Sequence, residues 1–177
     1  MEIIKIPVGY LEANCYIVFD EKTKGAVIID PGDEAEKILS VIEKEKLKPL
    51  AIINTHNHFD HTGANNEIKR KFNVKIYRPA KDEETKKFGT LPAVKFLLTP
   101  GHSRDGLCVL TEGHLFSGDT LFASSVGRTD LAGGDFNQLT NSIKTKILTL
   151  LDNTIVHPGH GPDTTIKAEK KSNPFLK

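Results

Sequence analysis

Leu50-Ala51-Ile52-Ile53-Asn54-Thr55-His56-Asn57-His58-Phe59-Asp60-His61-Thr62-Gly63 is the stretch whose reading decides the fold. It opens on a continuous apolar run of the buried-strand type. The run then gives way to three histidines and an aspartate within six positions. Sites in α/β proteins commonly form in this way: the strand is rigid, and the side chains of the loop beyond it are free to converge. A lone histidine in a loop is more often solvated or hydrogen-bonded than a ligand. Four such groups packed into one turn after an apolar strand point to metal.

Upstream, Ile3–Ile6, Cys15–Phe19 and Ala26–Ile29 are short apolar runs, broken by Pro7-Val8-Gly9 and by the charged turn Asp20–Gly25, and they read as strands. Asp30-Pro31-Gly32-Asp33 stops the third strand and offers a helix start. Ile38, Val41 and Ile42 then predict an amphipathic helix over Glu34–Lys46. Downstream, the pattern predicts a helix over Thr62–Phe72, a strand at Val74–Tyr77, a short charged helix at Lys81–Lys87 and a strand at Val94–Leu98. Leu107–Leu110 and His114–Ser117 read as a hairpin across Thr111-Glu112-Gly113. The longest helix is expected over Asp135–Leu151, with Phe136, Leu139, Ile143, Ile147 and Leu150 on one face. A last strand at Thr154–Val156 and a terminal helix at Ile166–Lys171 complete the chain. Strands fall in two groups, each followed by helices, with no repeat and no low-complexity linker. That order favours two packed sheets with helices outside, and 177 residues suit one domain over residues 1–177.

Composition narrows the class. Lys and Arg total 24 against 23 Asp and Glu, a net charge of +1, so there is no electrostatic footprint for nucleic acid. No apolar stretch is long enough to span a bilayer, and Met1 leads into Glu2 without a signal-peptide pattern, so the expected compartment is the cytoplasm and no membrane partner is expected. The two cysteines, Cys15 and Cys108, sit in apolar runs and read as buried thiols, which suits a reducing compartment. The expected partner is a small-molecule substrate; the oligomeric state is open.

Further along, His102 in Pro100-Gly101-His102-Ser103, Asp119 in Ser117-Gly118-Asp119-Thr120 and His160 in Pro158-Gly159-His160-Gly161 lie at other strand ends. Imidazole and carboxylate together suit zinc, and also iron or manganese. His56, His58, Asp60, His61, His102, Asp119 and His160 are too many for one tetrahedral ion. Two divalent ions sharing a carboxylate would use them all, and such a pair can bridge one hydroxide. His114, in the hairpin turn, reads as structural. His157 reads mainly so, although its place beside His160 also suits support of a ligand.

The run from His56 to His61 matches the His-x-His-x-Asp-His signature of the metallo-β-lactamase superfamily, and His102, Asp119 and His160 follow in the expected order. This resemblance covers essentially the whole chain and implies the αββα four-layer sandwich, an α/β fold. It places His56, His58 and His102 on a first metal, Asp60, His61 and His160 on a second, and Asp119 between them. Gly118-Asp119-Thr120-Leu121-Phe122, Gly127-Arg128-Thr129-Asp130 and the ending Lys170-Lys171-Ser172-Asn173-Pro174-Phe175-Leu176 resemble the short branch of glyoxalase II-like hydrolases, which cleave the thioester of hydroxyacylglutathione. The helical C-terminal domain that helps hold glutathione in the longer enzymes is expected to be absent. The resemblance implies a hydrolase using a bridging hydroxide on thioesters such as S-lactoylglutathione, with Asp60 orienting the nucleophile. It leaves a mononuclear iron persulfide dioxygenase, which shares the Gly-Arg-Thr-Asp run, and hydrolysis of another ester or lactone as alternatives. A β-lactamase role is less expected, because the Asp119 position is typically occupied differently there. Arg128 is a candidate substrate contact, although an Arg–Asp pair in such a turn more often pins the loop.

Overall fold

The computed structural model describes residues 1–177. Strands β1 (Glu2–Val8) and β2 (Ala13–Phe19) pair antiparallel from Glu2↔Phe19 to Val8↔Ala13. β3 (Gly25–Ile29) continues the sheet antiparallel to β2. Helix α1 (Ala35–Lys44) buries Ile38, Leu39 and Ile42 and carries the chain over to β4 (Lys48–Ile53), which runs parallel to β3. The short α2 (Phe59–Thr62) and α3 (Asn65–Phe72) form a second crossover to β5 (Lys75–Tyr77), parallel to β4. The sheet order is β1-β2-β3-β4-β5. These elements belong to a compact unit of Met1–Pro79 with Lys86–Ala93, whose core includes Ile17, Ile28, Ile38, Ile52 and Ile68.

The second unit comprises Ala80–Thr85 and Val94–Lys177. Its six-stranded sheet begins at β6 (Thr85–Lys86) and β7 (Val94–Leu98), followed by the hairpin of β8 (Leu107–Thr111) and β9 (His114–Gly118). A two-stranded ribbon, β10 (Leu121–Phe122) with β11 (Ser125–Val126), comes next. Helix α4 (Phe136–Ser142), with a wider turn over Ile143–Ile147, crosses to β12 (Ile155–Pro158), parallel to β9. β13 (Thr164–Thr165) and α5 (Ile166–Ser172) close the chain. The core of this unit holds Leu97, Cys108, Leu115, Leu139, Ile143, Ile147, Val156 and Ile166. No helix is long and apolar enough to cross a membrane.

Three expected helices are corrected. The Thr62–Phe72 helix is two helices, and the first begins at Phe59, so Asp60 and His61 stand on a helical turn rather than in a loop. The break lies at Gly63, where a Cβ would come 2.3 Å from the Gly32 carbonyl oxygen. The Lys81–Lys87 helix does not form. Asp82 instead accepts the Leu98 N–H (2.8 Å), and Phe96 N–H donates to the Glu84 carbonyl (2.9 Å), so pairing to β7 overrides local propensity. The Asp135–Leu151 helix starts later, because Asp135 is its N-cap and accepts the Gln138 N–H. It widens after Ser142, where Leu148 N–H bonds to Ile143 five residues back. Leu139, Ile143 and Ile147 are buried as expected, but Phe136 is exposed.

Candidate metal centre

Parallel register makes the site. β3 and β4 pair Ile29 with Ile53, and Asp30 N–H donates to the Ile53 carbonyl (3.0 Å). The residues just past the two strand ends, Asp30 and Thr55-His56, are therefore neighbours. In the second unit β9 and β12 pair Gly118 with Pro158, and Gly159 N–H donates to the Gly118 carbonyl (2.8 Å). Asp119 and His160, far apart in sequence, are thus set side by side.

Asp30, by sequence only a strand stop, is a supporting residue that no local motif marks. It is buried and has a φ of 51°. One carboxylate oxygen accepts the Thr55 N–H (2.7 Å). The other accepts the Thr55 hydroxyl (2.6 Å) and lies 3.0 Å from His61 Nδ1. Because the Thr55 hydroxyl donates to Asp30, its oxygen accepts from His56 Nδ1 at 3.1 Å. His102 Nδ1 donates to the Arg128 carbonyl at 2.8 Å, an oxygen that can only accept. The buried histidines 56, 61 and 102 thus each spend Nδ1–H on the protein and turn the Nε2 lone pair to the other side. That tautomer suits metal ligation through Nε2, with the far nitrogen held in place. A signal for Asp30 was present: an aspartate ending an apolar strand two residues before a required glycine. A Cβ at Gly32 would meet the Asp60 carbonyl oxygen at 1.6 Å.

Within each unit, further donors lie near these Nε2 atoms. His56 Nε2 lies 3.0 Å from His58 Nδ1, and His61 Nε2 lies 3.6 Å from Asp60. One oxygen of Asp119 is 3.6 Å from His102 Nε2 and 3.7 Å from His160 Nε2. Two ligands on one tetrahedral ion, each about 2.0–2.1 Å from it, are themselves ~3.3 Å apart, so these spacings are of ligand-shell size. His56, His58, Asp60 and His61 of the first unit, and His102, Asp119 and His160 of the second, each offer donor atoms of a kind that could hold a metal ion. The donor chemistry fits divalent metal, being all imidazole and carboxylate. Neither thiol takes part: Cys15 and Cys108 are buried in the cores, and burial pushes the Cys15 thiol up, with a smaller push from Asp30.

The other expected residues lie apart from these groups. His157 donates Nδ1–H to Asp163 (2.8 Å), and its Nε2 accepts from His114 Nδ1 (2.9 Å), so both of its nitrogens are spent on the protein. Arg128 makes a two-pronged ion pair with Asp130, 2.7 Å at each contact, in side chains 62% and 67% exposed. What Arg128 offers the site is its backbone carbonyl. Gly127 permits this, since a Cβ there would lie 1.9 Å from the Asp119 carbonyl oxygen.

The metallo-beta-lactamase superfamily profile matches residues 8–89 and 82–160. The chain is 36% identical to hydroxyacylglutathione hydrolase GloC of Haemophilus influenzae, over 99% of this chain and 98% of that protein. Its structure is similar to that of BLEG-1 B3 metallo-beta-lactamase, with a TM-score of 0.92 and 37% identity over 99% of this chain and 100% of the other. It is also similar to TTHA1623 in a di-iron-bound form, with a TM-score of 0.88 and 36% identity over 98% and 100%.

Proposed function

Since the chain belongs to the metallo-β-lactamase superfamily and has its α/β fold, and since members are generally hydrolases that bind divalent metals, typically two, we propose that it is a dinuclear thioester hydrolase acting on substrates such as S-lactoylglutathione. By likeness to the superfamily, His56, His58 and His102 would hold one ion and Asp60, His61 and His160 the other, with Asp119 contributing to both. The dinuclear reading rests most on Asp119, one of whose oxygens stands about equally far from the nitrogens of His102 and His160, which would serve different ions.

Bound divalent ions supply a water that ionises near neutral pH and a Lewis acid for the substrate carbonyl. The protein's part is orientation. Asp30, through Thr55 and His61, and the Arg128 carbonyl, through His102, fix the rings before substrate arrives. Asp60 accepts a hydrogen bond from the attacking water and can take its proton. No separate acid is needed for a thiolate leaving group, because a free thiol ionises near pH ~8.5. The thioester class is supported by the likeness to GloC and by the runs around Asp119 and Arg128.

The test is hydrolysis of S-lactoylglutathione by purified protein whose metals have been counted by elemental analysis. Hydrolysis with two metals per chain is expected. No hydrolysis, one iron per chain and oxygen uptake with glutathione persulfide would replace this reading with a dioxygenase. Likeness to the BLEG-1 structure favours a β-lactam ring as a second reading, so a chromogenic β-lactam belongs in the same assay.

A further inference from the structure

Helix α5 and its C-cap carry two buried polar side chains, and both reach the ribbon of β10 and β11. Glu169 is 2% exposed and Asn173 1% exposed. One Glu169 oxygen accepts the Thr164 hydroxyl (2.6 Å). The other accepts the Ser124 N–H (3.0 Å) and the Asn173 side-chain amide (2.7 Å). Asn173 also donates to the Ser125 carbonyl (3.1 Å), and its own oxygen accepts the Phe175 N–H (3.0 Å). Ser124 and Ser125 belong to the ribbon that begins two residues after Asp119, and Thr164 stands four residues after His160. Glu169 therefore joins the stretches of chain that follow two candidate ligands.

Burying a carboxylate is costly unless donors surround it. Ile166, three residues earlier on the same face of α5, turns an apolar side chain into the core, so packing alone does not call for a carboxylate here. The ribbon does. Its pairs are Leu121↔Val126 and Phe122↔Ser125, too few to hold a hairpin in water. Its turn sets Ser124 at a left-handed φ of 58°, which an L side chain disfavours. The ribbon nevertheless carries Phe122, whose ring stands edge-on to His160 at 6.3 Å between centroids, and it leads into Gly127, which lies against Asp119. The base of the clamp is fixed: Thr165 caps α5 by accepting the Ala168 N–H (3.2 Å), and β13 pairs with β12. Register brings Asp119 beside His160, and Glu169 keeps the chain beyond each from drifting apart.

We propose that Glu169 is a positioning residue of the metal centre: its buried carboxylate clamps the ribbon after Asp119 to the strand after His160 and so fixes the spacing of those two ligands. This rests on the dinuclear reading for its effect on metal, but the clamp itself can be tested without it. Metal-free protein is titrated with Co²⁺, followed by d–d absorption and elemental analysis. Glu169→Ala should weaken at least one of the two binding steps about 10–100-fold. Glu169→Gln should restore binding to within about threefold, because its amide oxygen accepts from Ser124 and Asn173 while its NH₂ donates to the Thr164 hydroxyl. Ile147→Val lowers stability in the core without touching the clamp, and should leave Co²⁺ binding unchanged. Wild-type affinity in Glu169→Ala, no rescue in Glu169→Gln, or an equal loss in Ile147→Val overturns the proposal. If Glu169→Ala does not fold, Thr164→Val cuts one arm of the clamp and should weaken binding about 2–10-fold; no loss overturns the proposal. If the wild type takes up fewer than two ions, the dinuclear reading falls, and amide exchange of the metal-free protein decides the clamp. Faster exchange at residues 121–126 and 159–163 together in Glu169→Ala, or at 159–163 in Thr164→Val, upholds it; exchange unaltered in these segments overturns it.

Discussion

The two units position their candidate ligands by different means. In the first, four donors come from one short stretch, His56–His61, and side chains hold them: Asp30 bonds Thr55 and His61, and Thr55 bonds His56. In the second, His102, Asp119 and His160 come from three separate loops, and backbone does the holding. The β9–β12 register sets Asp119 beside His160, the Arg128 carbonyl takes His102, and Gly127 lets that loop lie against Asp119. A dense local motif can be secured by one buried carboxylate. Dispersed single ligands need strands and loops packed to within a fraction of an ångström.

The sharpest break removes a donor from each half. Asp60→Ala should cut kcat/KM on the order of 10³-fold and lower metal content to about one per chain. Asp119→Ala, which takes away the shared carboxylate, should weaken both ions. Full activity in the Asp60 variant would overturn its assignment, and elemental analysis distinguishes the two outcomes.

The next pair tests side-chain against backbone support. Asn tolerates the left-handed conformation that Asp30 adopts, so Asp30→Asn reads the loss of the carboxylate alone. With an NH₂ facing a donor, it should cost ~2 kcal/mol by urea unfolding and weaken metal binding about 10–100-fold. Gly127→Ala forces a methyl group onto the Asp119 carbonyl and should cost ~3 kcal/mol. If both variants lose metal without losing stability, the contrast between the halves fails.

The smallest effect belongs to the exposed Arg128–Asp130 pair. The Arg128 side-chain hydrogen bonds, helped by backbone, hold the Asp130 carboxyl at about 2. A carboxyl depressed in the folded state contributes fully above its unfolded value near ~3.9 and loses that contribution only as pH falls through about 2. Acid unfolding above pH ~4 therefore owes nothing to this pair. Arg128→Gln should raise the Asp130 midpoint, followed by carboxyl-carbon NMR, and barely move the urea midpoint.

Much of this was legible in the order of residues. The mainly apolar runs in β2, β3, β4 and β7 were readable because strands packed on a core need apolar side chains, and the hairpin of β8 and β9 because Glu112-Gly113 interrupts two such runs. The segment 81–87 misled because its charges suit a helix in isolation, whereas its hydrogen bonds go to β7 and Lys146. Asp30 went unseen because its role lies in a partner 25 residues away in Thr55 and 31 away in His61.

Sequence alone determined the donor chemistry, since imidazole and carboxylate types need no fold to be named, and it placed the donors just beyond apolar runs, although burial continues past those runs through Asp30 and through Asn54, Thr55 and His56. Only the tertiary structure decided which nitrogen each buried histidine presents, because that depends on what Nδ1 meets on the far side of the ring. It alone decided that Arg128 serves His102 through its carbonyl while its guanidinium stays on Asp130, and that Glu169 joins Ser124 to Thr164. Those are facts of register and loop packing, set by parallel pairing and close glycine contacts between residues that no local pattern joins.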